Sequence, residues 1–326
     1  MSAVLLSRTD RIGDLILSTP AIATVRASFP DARVRMIVSP YNRVVMERNT
    51  DVDELIDLPA GHSPSSFGSE QGRYDVAVAL APRSIDLRLV GATRAAIRVG
   101  YTYERRWFAR LTAPLYVNRL MISEADPELC ERDPHRVVRH EVDQLLDLVA
   151  LGGANRRIER LRLDVVDADR AAARGLPPGS IVVHLGSRWL SEGSTLESTL
   201  AMVERLSRLG PVVVTCPRES DEVAPAFERV PGVAAVLRDL PFFEWAAVLE
   251  SARVVVTVDT GATHVASAMR RPTVVAFEHR YFRLNSQEWA PYGVPHVLVR
   301  KPLREDSESL ARFRDEIVNG VARLLQ

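Results

Sequence analysis

A polar turn in the second half of the chain carries residue types that can bind an anion. The sequence DTG at 259–261 follows a short β-branched run, and an apolar helical face comes after it. Gly261 lets the backbone approach a ligand closely, and the start of a helix offers unpaired N–H groups and a positive dipole end. Thr260 and Thr263 add hydroxyl donors, and His264 adds a ring nitrogen. This pattern predicts a phosphate site, for which a nucleotide is the natural ligand.

A structural interpretation of the same turn stays open. Asp259 and Thr260 can cap the helix, and His264 can be a buried histidine whose ring nitrogens are satisfied. Strand–DTG–helix turns are common, so the turn alone does not separate an anion site from a helix cap.

The elements around this turn follow an α/β pattern. Val254–Val258 and Thr273–Phe277 are nearly continuous apolar runs, which is typical of strands buried in a parallel sheet. The helical spacing between them ends at the dipeptide RP at 271–272. Strand and helix patterns also alternate from residue 3 to residue 57. The alternation predicts doubly wound sheets, in which ligands bind at the carboxyl ends of strands.

Hydrophobic periodicity along the rest of the chain predicts further strands and helices. The predicted strands span 3–7, 33–38, 52–57, 74–80, 180–184, 211–216, 233–237, 254–258 and 273–277. The predicted helices include 15–28, 41–48, 135–151, 196–209, 241–249 and 306–325. Residues 60–73 are rich in glycine and serine and are expected to form a loop.

Two separate segments resemble the sequence motifs of one family. Residues 259–277 resemble D-[ST]-G-x-x-H-x-A-[AS]-A-x-x-x-P-[TV]-V-[AV]-x-F, and residues 8–40 resemble R-x-x-x-[IL]-G-D-x-[IV]-x-x-x-P-x-[IL]-x-x-[IL]-[RK]-x-x-x-P. Both are motifs of glycosyltransferase family 9, the ADP-heptose:lipopolysaccharide heptosyltransferases. The segment WAPYG at 289–293 is similar to the W-x-P-[YF]-G of the same family.

The resemblance implies an α/β protein of GT-B architecture, with two Rossmann-like domains whose parallel sheets face a central cleft. We expect an N-terminal acceptor-binding domain at 1–165 and a C-terminal nucleotide-sugar-binding domain at 175–305. The last helix, at 306–326, is expected to pack back towards the N-terminal domain.

The resemblance also implies a reaction. Family members are inverting, metal-independent transferases, and the aspartate of the G-D pair, here Asp14, is the proposed catalytic base. A carboxylate there can take a proton from an acceptor hydroxyl as it attacks the anomeric carbon, and Gly13 is expected to permit a sharp turn. Alternatively, Asp14 is only a favourable charge at a helix N-terminus. No metal or cofactor is expected, because the nucleotide-sugar donor is a substrate.

Family membership points to ADP-heptose as donor and to a saccharide such as the lipopolysaccharide inner core as acceptor. Gly186 and Ser187 match the donor loop H-[PA]-G-[AS]-x-x-x-x-K-x-W, but its lysine has no counterpart near 191–192. Arg188 can reach the diphosphate instead, and Glu219 is the candidate acidic residue near the nucleoside. A second departure lies at 278–280, where EHR replaces the usual Gly-Pro-Thr.

The acceptor is expected to meet arginines of the N-terminal half, namely Arg11, Arg83, Arg105 and Arg106. Arg105 and Arg106 lie in YTYERRWFAR, where basic and aromatic residues interleave. That composition suits a phosphorylated or anionic sugar, and a solvated loop is the alternative.

Other functions compete with this interpretation. A transferase fold that lost turnover with its lysine would bind a nucleotide or nucleotide-sugar without transferring it. A similar transferase with another donor, or with a protein or small-molecule acceptor, also fits the pattern. A nucleotide-sugar epimerase or dehydrogenase fits least, because Ser7–Asp14 holds one glycine and no dinucleotide fingerprint.

Composition restricts the partners and the compartment. The chain of 326 residues balances 42 basic against 42 acidic residues, so no bulk charge attracts nucleic acid. Its two cysteines, Cys130 and Cys216, cannot form a disulfide framework, which fits a reducing compartment. No run approaches the ~20 apolar residues of a membrane helix, and the first nine residues lack the features of a secretory signal. We expect a cytoplasmic protein, which contacts the inner face of the cytoplasmic membrane if its acceptor is a lipid.

Overall fold

The structure is a computed structural model that describes residues 1–58 and 72–326. Most of the loop predicted at 60–73 lies outside the described residues. The chain divides into two units, Met1–Leu163 and Asp164–Gln326. The division falls just before residue 165, where the first domain was predicted to end.

The first unit is built on one parallel sheet, which has six strands within the described residues. The strands are β1 (Ala3–Ser7), β2 (Arg33–Val38), β3 (Glu54–Asp57), β4 (Val76–Ala79), β5 (Ile97–Tyr103) and β6 (Arg119–Ser123). The α-helices are α1 (Ile12–Ser28), α2 (Ser84–Ala92), α3 (Trp107–Thr112), α4 (Pro127–Arg132) and α5 (Glu141–Leu151). The order across the sheet is β3-β2-β1-β4-β5-β6.

The second unit repeats this plan with a second six-stranded parallel sheet. The strands are β7 (Ile181–His184), β8 (Val212–Cys216), β9 (Val233–Arg238), β10 (Val254–Val258), β11 (Thr273–Phe277) and β12 (His296–Arg300). The α-helices are α6 (Asp167–Arg170), α7 (Leu196–Leu206), α8 (Ala224–Glu228), α9 (Phe242–Ser251), α10 (Gly261–Ala268), α11 (Phe282–Glu288) and α12 (Ser307–Leu325). The order is β12-β11-β10-β7-β8-β9.

Both sheets reverse their winding direction between two central strands. In the first unit β4 pairs with β1, with Leu5 opposite Ala77, and in the second β10 pairs with β7, with Val256 opposite Val183. In open α/β sheets the crevice beside such a reversal, at the carboxyl ends of the strands, binds ligands. We call these two places the first and the second switch point.

Burial explains which elements the sequence pattern predicted well. The central strands β4, β7 and β10 are buried along their whole length, and their sequences are short apolar runs. The partly buried edge strands β6 and β12 were missed, whereas β3 and β9, which are also partly buried edge strands, were predicted. The segment predicted as a helix at 41–48 forms only a 3₁₀ turn at Arg43–Met46.

One helix begins later than predicted, and the packing of another is described within its own unit. The helix predicted at 135–151 begins at Glu141, because Nδ1 of His140 accepts the N–H of Val142 at 3.1 Å and caps it. The expectation that the C-terminal helix α12 packs back towards the first domain stays a prediction. The described contacts of α12 are with α7 and the strands β10, β11 and β12 of its own unit, because its apolar face, including Ile317 and Val321, joins that unit's core. No helix within the described residues has the length and apolarity needed to cross a membrane.

Candidate active site

A buried arginine organises the first switch point. Arg8, directly after β1, is 2% exposed. Its Nη1 donates to the carbonyl of Leu80 at 2.5 Å and to Oε1 of Glu141 at 3.1 Å. Its Nε donates to Oδ1 of Asp10 at 3.0 Å. A guanidinium this deeply buried is tolerated because carboxylates and a carbonyl replace its water shell.

Asp14 lies in the first turn of α1 and faces this arginine. Its Oδ1 is 3.6 Å from Nη2 of Arg8, and its side chain remains 22% exposed. The pKa of Asp14 is raised to about 7, because burial raises it most, Arg8 opposes that change, and the charges of Asp10 and Glu141 add to the rise. A partly exposed carboxyl group with a pKa near neutrality is suited to accept a proton from a substrate.

The backbone around Asp14 differs from the prediction in one respect. Gly13 was expected to permit a sharp turn, but it lies within the first turn of α1 and does not have a positive φ. Asp14 therefore also occupies the position in which a carboxylate interacts favourably with the helix dipole, so the structural role is present beside the chemical one.

Two buried acids that sequence reasoning did not select complete this site. Glu141, the first residue of α5, accepts from Arg8 and from the hydroxyl of Tyr101 at 2.9 Å. Asp86, in the first turn of α2, accepts from the hydroxyls of Ser7 at 2.7 Å and Thr9 at 3.1 Å. Burial raises the pKa of Asp86 to about 6. An acidic residue in the first turn of a helix was the available sequence signal, but it does not by itself distinguish a buried acid from an exposed one.

The predicted acceptor arginines lie on the surface of the first unit. Nη1 of Arg83 donates to the carbonyl of Thr9 at 2.9 Å, and Nη1 of Arg106 donates to the carbonyl of Pro82 at 3.1 Å. Arg83 and Arg106 therefore lie at the carboxyl ends of neighbouring strands, Arg83 after β4 and Arg106 after β5. The guanidinium of Arg105 lies 5.7 Å from the ring centre of Tyr103.

Arg11 is placed separately from these arginines. It is exposed and occupies the N-cap of α1, in extended backbone, without a side-chain hydrogen bond to the helix. The described hydrogen bonds do not join it to Arg83, Arg105 or Arg106.

The second switch point is built from backbone, threonine and glycine. Thr260 is the N-cap of α10, but its side chain makes no cap hydrogen bond and its hydroxyl donates to the carbonyl of Val258 at 3.3 Å. The hydroxyl of Thr263 donates to the same carbonyl at 3.2 Å and is fully buried. The side chain of Thr260 therefore does not cap the helix, and the hydroxyl of Thr263 ties the strand end to α10.

Arg188 joins the two strand ends at this switch point. It lies in the 3₁₀ turn Ser187–Leu190, and its Nη1 donates to the carboxylate of Asp259 at 2.6 Å and to the carbonyl of Asp259 at 2.7 Å. A Cβ added at Gly186 would lie 3.1 Å from Cγ2 of Thr260, so the two turns pack as closely as a glycine allows. The predicted donor residues after β7 and β10 are therefore in contact.

The remaining predicted donor residues occupy three different positions. Ser187 is exposed at the start of the same 3₁₀ turn. His264 is buried on α10. Glu219 is exposed at the carboxyl end of β8, the strand next to β7. In the part of the chain that the structure describes, no cluster of three or more His, Cys, Asp or Glu side chains could hold a metal ion.

Comparison with known proteins finds similarity to one family. The model of glycosyltransferase family 9 (heptosyltransferase) matches residues 200–312, which include the turn after β10. Lipopolysaccharide heptosyltransferase 3 of Escherichia coli is 20% identical over 294 residues, covering 83% of this chain and 83% of its own. The second unit therefore resembles glycosyltransferase family 9, and most of the chain resembles a heptosyltransferase. The chain is a glycosyltransferase, as the two motifs predicted.

Solved structures agree with the fold that this resemblance implies. The glycosyltransferase family 9 protein of Veillonella parvula DSM 2008 superposes with a TM-score of 0.79 at 18% identity, covering 99% of this chain and 97% of its own. The ADP-heptose LPS heptosyltransferase II of E. coli superposes with a TM-score of 0.74 at 16% identity, covering 100% and 98%. The predicted fold class, α/β with two Rossmann-like parallel-sheet domains of the GT-B type, is confirmed.

Proposed function

We propose that this glycosyltransferase moves a heptose from ADP-heptose to a hydroxyl group of a lipopolysaccharide inner-core sugar, with Asp14 as the general base. The observation that carries the proposal is the Asp14 carboxyl group, partly exposed at the first switch point with a pKa raised to about 7. The donor and acceptor classes are those in the names of the E. coli relatives.

The chemical step follows from the two switch points. Asp14 accepts the proton of the acceptor hydroxyl while that oxygen bonds to the anomeric carbon. The bond between the anomeric carbon and the diphosphate oxygen breaks, and the nucleoside diphosphate leaves with the electron pair. Attack from the face opposite the leaving group inverts the anomeric configuration. The proposed step does not use a metal ion.

Negative charge grows on the departing diphosphate, and the second switch point supplies groups to stabilise it. α10 begins there with its N-cap side chain turned away, so the first-turn N–H groups and the dipole point toward the ligand position. Arg188 adds a guanidinium beside this helix start, held by Asp259. Gly186 lets the backbone after β7 come close to the phosphates.

The experiment that tests the proposal combines ligand binding with transfer. ADP and ADP-sugars should raise the melting temperature, whereas UDP and NAD should not. ADP-heptose and a truncated lipopolysaccharide acceptor should then give a glycosylated product whose anomeric configuration is inverted. Binding of UDP-sugars alone would contradict the donor, and product with retained configuration would contradict the mechanism.

A second candidate function is supported by the lysine missing from the donor loop. A protein of this fold that binds nucleotide or nucleotide-sugar without turnover would show the same rise in melting temperature with ADP. It would release neither ADP nor a glycosylated product from ADP-heptose. The transfer assay therefore separates the two functions.

We also infer that the first unit contacts a membrane surface through α3. Trp107, Phe108 and Leu111 are each more than 60% exposed on this helix, and Arg105 and Arg110 lie beside them. Exposed aromatic and aliphatic groups next to cations suit the interface of an anionic bilayer.

A vesicle-binding experiment tests this contact. Trp107→Ser combined with Phe108→Ser should reduce co-sedimentation with vesicles of phosphatidylglycerol and phosphatidylcholine. Leu303→Ser, at an exposed leucine of the second unit, is the matched control. Equal sedimentation of all variants would contradict the inference.

A further inference from the structure

We propose that Lys301 is a positioning residue of the donor site, which holds the segment 188–192 from behind so that Arg188 meets the diphosphate. This inference rests on the proposed function, because it assumes a diphosphate ligand at the second switch point. Lys301 is the only lysine among the 42 basic residues of the chain.

The Lys301 ammonium group is buried against the donor loop. Lys301 follows β12 directly and is 1% exposed. Its Nζ donates to the carbonyl of Arg188, to the hydroxyl of Ser191 at 3.0 Å and to the carbonyl of Glu192 at 3.3 Å. These three acceptors belong to the loop that lacks the family lysine. A cation is therefore present at this loop, although it comes from a distant part of the sequence.

Glu278 supplies the counter-charge and joins the second unusual segment to the first. Its Oε1 is 3.1 Å from Nζ of Lys301 and accepts the hydroxyl of Ser191 at 2.9 Å. Glu278 begins the segment in which EHR stands where the family usually has Gly-Pro-Thr. The two departures from the family pattern thus form one hydrogen-bonded network.

Arg188 is held at two points by this arrangement. Lys301 fixes its backbone carbonyl, and Asp259 fixes its guanidinium. The loop is docked again further along, where the N–H of Gly193 donates to Oε1 of Glu305 at 3.0 Å. Gly193 has a φ of +77°, and a Cβ there would lie 2.3 Å from the carbonyl of Pro302. Residues 188–193 are therefore held by contacts at several points, and Lys301 lies at the centre of these contacts.

The burial of Lys301 determines how much this contact contributes to the stability of the fold. It lowers the pKa of Lys301, and the carboxylate of Glu278 opposes that change. Removing one partner of a buried ion pair leaves the other charge without compensation, which destabilises the fold whatever the role of the pair. A useful test must therefore separate loss of stability from loss of diphosphate recognition.

Two variants make that separation. Lys301→Met removes the ammonium and leaves the Glu278 carboxylate unpaired, so both the melting temperature and ADP binding should fall. The double variant Lys301→Met with Glu278→Gln removes both charges, so the melting temperature should partly recover. ADP binding should not recover, because the loop has still lost its central donor.

The measured quantity is the ratio of ADP to AMP affinity, from calorimetric titration at pH 8. We expect the ratio to fall about 10- to 100-fold in both variants, the range for a lost hydrogen bond to a charged group. Arg205→Met is the matched control, since it breaks the ion pair of Arg205 with Asp315 between α7 and α12, away from the donor turns. The control should change the melting temperature and leave the ratio as in the wild type.

The outcomes are distinguishable. A wild-type ratio in the double variant would overturn the positioning role and leave the proposed function intact. A wild-type protein without preference for ADP over AMP would overturn both. If neither Lys301 variant folds, Ser191→Ala removes one acceptor of the ammonium without changing a charge. It should lower the same ratio by a smaller factor, and an unchanged ratio there would also overturn the role.

Discussion

The two switch points have the same strand topology and different chemistry. The first gathers Asp10, Asp14 and Glu141 around the single guanidinium of Arg8, mostly away from water. The second has two cations, each paired with one carboxylate, in Arg188–Asp259 and Lys301–Glu278. The first switch point thus has more carboxylates than cations, whereas the second has equal numbers of the two beside the start of α10.

This difference in charge balance is consistent with the proposed roles of the two units. Burial, with a smaller contribution from the neighbouring acids, raises the pKa of Asp14 to about 7, so that carboxyl group can exchange a proton near neutral pH. Paired cations and helix N–H groups bind an anion without needing to change protonation state. From this difference in charge balance we expect variants at the first switch point to affect proton transfer and variants at the second to affect diphosphate binding.

The largest expected effect is on turnover. Asp14→Asn should lower the transfer rate by ~10²–10⁴-fold, because the acceptor hydroxyl loses its base. The Kd for ADP should stay as in the wild type, because Asp14 lies outside the second switch point. Turnover with saturating ADP-heptose and ADP titration are the two measurements. Asp10→Asn, which also removes a carboxylate beside Arg8, is the matched control with a smaller expected loss.

The next effect is on stability. Arg8→Met should lower the free energy of unfolding by about 3–5 kcal/mol, because it leaves Glu141 and Asp10 buried without their cation. Arg33→Met breaks an exposed pair with Glu54 and should change it by about 0–1 kcal/mol. Urea denaturation measures both. Equal losses in the two variants would show that the Arg8 network does not stabilise the first unit.

Diphosphate binding should respond to the second switch point only. Arg188→Gln should weaken ADP binding about 10- to 100-fold through the loss of a charged hydrogen-bond donor. Arg238→Gln removes an arginine of the same unit that pairs with Asp221, and it should leave the ADP affinity unchanged. Calorimetric titration checks the pair, and equal affinities would remove Arg188 from the donor site.

The smallest expected effect is a pH-dependent gain in stability from Asp14→Asn. The pKa of Asp14 is about 7 in the folded chain, above the ordinary value near 3.8, so the folded state binds more protons between those values. The stability contribution of this group is fully present below pH ~4 and is lost as the pH rises through about 7. The melting temperature of the variant should therefore exceed that of the wild type more at pH 8 than at pH 4. A difference independent of pH would contradict the raised pKa.

The same comparison shows which features could be predicted from the sequence. β1, β2, β10 and β11 have their predicted bounds, because buried strands are written as local apolar runs. The turns that follow β1, β7 and β10 were also identified, because their motifs are local. The edge strands β6 and β12 and the start of α5 were not, because partial burial weakens the apolar pattern and a single cap sets the start of the helix.

The contacts that complete the two sites could not be predicted because they join distant parts of the chain. Nζ of Lys301 reaches Ser191 across 110 positions, and Nη1 of Arg8 reaches Glu141 across 133. The sequence of residues 184–194 indicated that the donor loop lacks the lysine of the family motif. In the structure, the ammonium group of Lys301, which directly follows β12, lies against that loop.

The pH dependence of transfer, measured beside the pH dependence of ADP-sugar binding, tests the central claim most directly. An ADP-sugar keeps a constant diphosphate charge across this range, so its binding reports only on the protein. The single-turnover rate should rise as the pH passes through about 7, as Asp14 loses its proton, while the ADP-sugar Kd stays constant. Asp14→Asn should abolish the rise. A rise that survives in Asp14→Asn, or a Kd that changes with the same midpoint, would contradict the separation of proton transfer from anion binding.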